Sequence, residues 1–230
     1  MVKKVVFTLI ISFVSTSLFA FSFAKGDTFL YPTVGFGASS ASCTAWKGYE
    51  MGNEVYSDET AFDDPETEVK FAYNVGLMFD HYLSNTLALT AGVTYDSTPA
   101  ELRYPANEAA YDGDLYITAE YKLLTIPVGL HYVFNNLVIV GGGLFYSIVQ
   151  DDEVTIKDNV MNIEKTDVKS QNFPGFFVDL GLNVNISQDN HLLIYARYKQ
   201  ALSEVSEGDW YIEDVKIQSL MLNVAFGIRI

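Results

Sequence analysis

Asp179, Arg197 and Lys199 are the charged residues whose types and placement could do chemistry. One carboxylate and two cations fall on the same alternating face of two neighbouring segments. A tight turn at 188–190 that sets Ser187 opposite His191 would bring Asp179 opposite Lys199 and diagonal to Arg197. Paired in a low-dielectric interior, such a cluster fixes and fills the space it lines; left mobile, the same charges would line an ion path. The first use is favoured, because a small ring of strands encloses little more than its own side chains.

The other reactive residue types do not assemble into a site. His81, His131 and His191 each fall near the end of a segment that runs into a tight turn, where interfacial polar residues are expected. A metal centre needs ligands converging within a few ångströms, and no acidic cluster lies where it could complete one. Asp63-Asp64-Pro65-Glu66, Asp112-Gly113-Asp114 and Asp151-Asp152-Glu153 offer carboxylates without the spacing of a dedicated calcium loop. They are expected to be solvated acidic loops, with weak bridging of divalent cations as their functional use. Trp46, Tyr49 and Trp210 lie in the same loops and could meet a ligand or pack the loop. No catalytic, cofactor-binding or metal-ligating residue is assigned.

The elements that must position these residues are strands. Period-two alternation recurs along the chain, because successive strand side chains point to opposite faces. In 175–187, Phe176, Val178, Leu180, Leu182, Val184 and Ile186 oppose Gly175, Phe177, Asp179, Gly181, Asn183 and Asn185. Residues 69–82 set Val69, Phe71, Tyr73, Val75, Leu77 and Phe79 against Lys70, Ala72, Asn74, Gly76, Met78 and Asp80. Eight strands are expected at 28–40, 68–82, 87–97, 115–134, 137–150, 173–187, 191–202 and 215–230. The apolar register of the fourth changes near Leu123-Leu124, which predicts a β-bulge there. The Gly141-Gly142-Gly143 run leaves the parity of the fifth open.

Met1-Val2-Lys3-Lys4, the apolar run from Val5 to Val14 and the small residues of Ser22-Phe23-Ala24 form a secretory leader pattern. Residues 1–24 are therefore expected to be removed by cleavage between Ala24 and Lys25, leaving one domain at 25–230. The single Cys, Cys43, cannot form an internal disulfide. Beyond the leader, no run of about 18 apolar residues exists, so no helical span is expected.

Connection lengths and charge share one polarity. Residues 83–86, 135–136 and 188–190 are short and rich in turn formers, whereas 41–67, 98–114, 151–172 and 203–214 are long. The long connections hold 22 of the 29 acidic residues and five basic ones, Lys47, Arg103, Lys157, Lys165 and Lys169. The formal net charge of −15 is thus concentrated at one end of the fold, which argues against nucleic acid as a partner.

Short turns alternating with long loops are the mark of outer-membrane barrels. The rival is a soluble barrel, apolar inside and polar outside. Two features favour the membrane. Full charges (Lys70, Asp96, Asp179, Arg197, Lys199) sit mid-strand on a face otherwise rich in Gly and Asn. Aromatics also gather near strand ends, with Phe29, Tyr31, Phe79, Tyr82, Tyr132 and Phe134 at one rim. Phe71, Tyr73, Tyr95, Tyr146, Phe173 and Phe176 lie towards the other, as interfacial girdles do. The fold class expected is all-β, an eight-stranded antiparallel up-and-down transmembrane β-barrel.

Leu123-Leu124-Thr125-Ile126-Pro127-Val128-Gly129-Leu130-His131-Tyr132 and the final strand 220–230 carry a family resemblance. The first is similar to the L-x-IP strand, and the second resembles the C-terminal targeting strand, of the OmpA/OmpX-like small outer-membrane β-barrel domains. The chain ends in Ile230 where that family most often has Phe or Trp. The resemblance spans 25–230 and implies outer-membrane lipid and the outer-membrane assembly machinery as partners. It also implies long loops outside the cell and short turns in the periplasm. Barrel proteases need Asp and His together at the outer rim, and Asp112-Gly113-Asp114 has no His beside it. Barrel deacylases use a Ser/His pair, and no His-Ser dipeptide occurs here. No enzymatic activity is expected. The reading is a barrel with a plugged lumen and acidic surface loops, in a structural or surface-interaction role. The alternatives are a narrow channel or hydrophobic-solute carrier, and a surface adhesin.

Overall fold

Eight segments of alternating polarity pair edge to edge until the first meets the last. In the computed structural model these are β1 (Thr28–Ser42), β2 (Lys70–Tyr82), β3 (Leu87–Tyr104) and β4 (Leu115–Phe134), followed by β5 (Val138–Asp158), β6 (Phe173–Asn185), β7 (Asn190–Ala201) and β8 (Lys216–Arg229). The structure describes residues 23–42, 66–105, 114–158, 162–166, 170–187, 189–205 and 216–230, with short pieces at 45–46, 49–51, 54–56 and 212–213. Each strand pairs antiparallel with its chain neighbours. β1 also pairs with β8, so the sheet closes and leaves no barrel strand with a free edge.

The apolar parity points outward. Phe71, Val75 and Leu77 on β2, Val178, Leu180 and Leu182 on β6, and Leu220, Leu222 and Phe226 on β8 are exposed. Their neighbours Ala72, Asn74, Asp179, Asn183, Met221 and Asn223 are buried inside. This inside-out pattern suits a barrel that meets lipid with its wall and keeps polar groups in its lumen. The hairpin between β4 and β5 turns on Asn135, Asn136 and Leu137, with both asparagines left-handed at φ 48° and 54°. Asn tolerates that backbone, which matches the twist of the flanking strands.

The structure departs from the sequence expectations in its strand ends, its bulge and its girdles. First, β3 runs to Tyr104 and β5 to Asp158, past 97 and 150, so much of two expected loops is strand. Glu66–Glu68 pairs with the extension of β3, and Asn162–Thr166 with that of β5. Charges bind the β3 extension to its neighbours: Lys70 Nζ meets Glu101 at 2.8 Å, and Arg103 meets Asp114 at 2.7 Å and Glu66 at 3.1 Å. Second, β4 keeps a single parity. Ile117, Tyr121, Leu123 and Thr125 all point inward, while Ile126, Val128 and Leu130 point out. The register shift sits at that level but on β5, where Lys122 faces Asp151 and Leu123 faces Val149, leaving Gln150 as the extra residue. Third, Phe29, Tyr31, Tyr82 and Phe173 are buried in the lumen and do not belong to the girdles. Phe71, Tyr73, Phe79, Tyr132, Phe134 and Tyr146 do face outward. Both the second and third differences have one cause: part of the lumen is apolar, so apolar residues occupy both faces near the strand ends.

Candidate functional site

The barrel interior is layered. At the short-turn end, Phe29, Tyr31, Met78, Tyr82, Val133, Ile139 and Tyr195 form an apolar cluster with Phe23. Phe23 stacks on Tyr82 at 4.1 Å between ring centroids, and Tyr31 shares a 2.5 Å hydrogen bond with His191 Nε2. Towards the long-loop end, Leu102, Ile117, Tyr121, Leu123, Phe145, Phe173 and Phe177 pack in a second cluster. Between the two lies a buried polar layer.

Asp179 on β6 is the hub of that layer. It accepts a two-pronged contact from Arg197 of β7, Nε to Oδ1 at 2.8 Å and Nη2 to Oδ2 at 2.7 Å, the planar fork geometry that makes Arg–carboxylate pairs strong. The guanidinium carbon also lies 4.4 Å from the Phe177 ring centroid and 5.3 Å from that of Tyr195, so the cation is packed against two aromatic rings. His131 of β4 reaches into the lumen with Nε2 at 3.0 Å from Asp179 and Nδ1 at 3.0 Å from Asp80 of β2. Gly141 lies opposite His131 on β5, and a Cβ there would overlap the imidazole. A Cβ at Gly143 would likewise crowd the Phe177 ring. The glycine run therefore makes room for inward side chains from neighbouring strands, and it settles the parity of β5.

A second contact crosses the lumen. Lys199 of β7 donates to Asp96 Oδ2 of β3 at 2.8 Å. Thr125 and Thr94 donate to the same oxygen at 2.5 and 3.3 Å, and Thr125 is also bonded to Ser147. In a ring of eight strands, β3 and β7 stand four strands apart in either direction, and so do β2 and β6. The Asp96–Lys199 pair and the Asp80–His131–Asp179 bridge thus span opposite walls of the barrel.

The sequence expectation placed Asp179 opposite Lys199. The hairpin instead sets Asn185 opposite His191, two residues out of the expected register, so Asp179 faces Arg197 and Lys199 is free to reach Asp96. The expectation that all three histidines are interfacial also changes. His131 and His191 are buried in the lumen, and His81 alone stays half-buried, sharing a 2.9 Å hydrogen bond with Thr28. Asp80, Asp96 and His131 were not expected in the cluster. Their inward parity is readable from the alternation, but a partner across the lumen is not.

Among the described residues, no group of three or more His, Cys, Asp or Glu is disposed to hold a metal ion. Of the acidic loop motifs, Asp63, Asp64, Pro65, Asp112 and Gly113 lie outside the described residues, as does Trp210. Asp151 and Asp152 are engaged by Lys122 and Ser170.

The closed inside-out wall and the polar layer inside it define a bacterial outer-membrane barrel protein. The model of the outer membrane protein beta-barrel domain matches residues 31–207, and the chain belongs to that family. No curated protein matches it. Among solved structures, the chain is similar to Ail, the attachment invasion locus protein of Yersinia pestis, at 16% identity and TM-score 0.38, over 90% of this chain and 99% of that one. It is also similar to OprG of Pseudomonas aeruginosa, at 13% and 0.45 over 90% and 97%. Outer Membrane Protein W of E. coli matches at 15% and 0.42 over 90% and 99%.

Proposed function

We propose that this chain is a non-catalytic outer-membrane barrel with a sealed lumen, presenting acidic loops to the cell exterior. The observation that carries the reading is the pair of charge bridges across the interior, buried between two apolar clusters. Bulk water or a solute would have to break ion pairs inside a low-dielectric space to pass. Planar-bilayer recording of the refolded protein at neutral pH is expected to show no unitary conductance. Regular single-channel steps would overturn the sealed-lumen reading and promote a narrow channel. A carrier for apolar solutes is the second reading, favoured by the apolar upper lumen around Leu102, Ile117, Leu123 and Phe145. It predicts uptake of a hydrophobic tracer into proteoliposomes without ionic current.

Outer-membrane lipid is the partner of the exposed apolar wall, and β8 is the strand offered to the assembly machinery. The acidic loops would hold divalent cations only weakly. Long, acidic connections are tolerated in water and excluded from lipid, which supports loops outside and turns in the periplasm. Protease added to intact cells is therefore expected to cut within 41–67 or 159–169. Cutting that appears only after lysis would reverse this orientation. N-terminal sequencing of the membrane fraction is expected to begin at Lys25; a start upstream of Phe23 would instead keep that ring in the barrel mouth.

A further inference from the structure

We infer that the Asp80–His131–Asp179 bridge stores a proton, which makes His131 an imidazolium and turns the cross-lumen brace into a pH-operated latch. The inference rests on the sealed-lumen reading and deepens it. Ionised carboxylates only accept hydrogen bonds, whereas a neutral imidazole offers one donor and one acceptor. Both ring nitrogens of His131 lie 3.0 Å from a carboxylate oxygen, Nδ1 from Asp80 and Nε2 from Asp179. A neutral ring would therefore aim a lone pair at one of the two carboxylates. The imidazolium has a donor for each.

Charge balance leads to the same state. The buried layer contains three carboxylates, Asp80, Asp96 and Asp179, and two fixed cations, Arg197 and Lys199. Lys199 is committed to Asp96 and Arg197 to Asp179. Asp80 has His131 as its charged contact, and its Oδ1 is buried with no hydrogen-bond partner in the protein. The proton on His131 supplies the third positive charge and neutralises the layer. The groups facing this bridge come from several strands. They are Asp80 and Tyr82 from β2, Asp96 from β3, Asp179 from β6, His191, Tyr195 and Arg197 from β7, and Tyr31 from β1 within the lower cluster; β5 contributes Gly141, which carries no charge.

The latch has a defined sign. While His131 holds both protons, it ties β2 to β6 across the lumen. When pH rises far enough to remove one, the layer keeps three carboxylates against two cations and one contact becomes repulsive. The stabilisation is present below the pH at which the folded imidazolium loses its proton and is lost above it. Release frees Asp80 and its wall from Asp179 and leaves the Asp96–Lys199 pair to hold the polar layer across the lumen without the second brace.

Histidine 15N NMR of the refolded protein at neutral pH tests the stored proton directly, with the His131 signals assigned by their loss in H131Q. Both ring nitrogens are expected at protonated shifts. A neutral ring, with the proton on Asp80, would overturn the inference. Bilayer recording tests the latch. Wild type is expected to be silent at neutral pH and to conduct at alkaline pH once the NMR shows the ring has titrated. H131Q should conduct at both, and H131K, which keeps the positive charge, should stay silent at both. Wild type that remains silent after titration overturns the latch while leaving the sealed lumen intact. Wild type that already conducts at neutral pH overturns the sealed lumen itself.

Discussion

Asp179→Ala is expected to lower the folding stability of the barrel by about 3–5 kcal/mol, the range seen when one member of a buried ion pair is removed. Asp179 is fully buried and accepts hydrogen bonds from both Arg197 and His131. Its loss leaves a guanidinium with no carboxylate of its own, still wedged between Phe177 and Tyr195. Removing the cation as well, in Asp179→Ala with Arg197→Met, should recover much of the loss, since no buried charge is then stranded on that pair. A double-mutant cycle on urea unfolding in detergent or lipid measures the coupling. The same cycle with Lys199→Met in place of Arg197→Met should show far less, because Lys199 is bound to Asp96 on β3. Strong coupling of Asp179 to Lys199 in place of Arg197 would mean that the hairpin closes in the other register.

That register marks where sequence reasoning stops. Alternation sorted β6 from Gly175 through Asn185 and β2 from Phe71 through Phe79 into an apolar and a polar face, and the full charges on the polar one marked it as inward. The turn ends of the strands were legible to within a residue or two, since the Asn pair at 135–136 admits few backbone paths. The outer ends were not. Above the apolar belt the outward face of a strand carries charges, so residues such as Glu101, Arg103 and Asp151 read as loop although they sit in a ladder. A hairpin containing several polar turn residues also closes in more than one register with similar local chemistry, and the choice falls to packing. Here the Arg197 fork on Asp179 and the fit of Gly181 against Tyr195 agree with the observed pairing. Hydrogen bonds across the lumen lie further out of reach. Lys199 and Asp96 are 103 positions apart in the chain and meet because eight strands close a ring. His131 looked like a rim residue because it lies three positions before the end of β4; its side chain runs inward to two carboxylates instead.

Leu180→Arg is expected to destabilise the membrane-embedded barrel by about 2–4 kcal/mol, the penalty for a cation on the lipid face near the midplane, and Ile186→Arg by at most about 1 kcal/mol. Leu180 is 61% exposed in the middle of the outward row of β6 and lies between Val140 and Ala196 on the adjoining strands. Ile186 is also exposed but lies just past the end of β6, within a side-chain length of the interface. An arginine at 186 can carry its guanidinium to the headgroups along its own aliphatic stem, whereas one at 180 has water at neither end within reach. Gly181→Ala, one residue away but facing inward, is the control. Its added Cβ would overlap Ile194 and Tyr195 of β7, a steric fault that has nothing to do with lipid. Unfolding measured in bilayers of graded acyl length separates the two causes. The Leu180→Arg penalty should grow as the hydrocarbon thickens, and the Gly181→Ala penalty should stay constant. If the Leu180→Arg penalty matched that of Ile186→Arg and ignored thickness, the exposed face of β6 would not meet hydrocarbon. The soluble-barrel alternative would then return, with the apolar belt needing a protein partner in place of lipid.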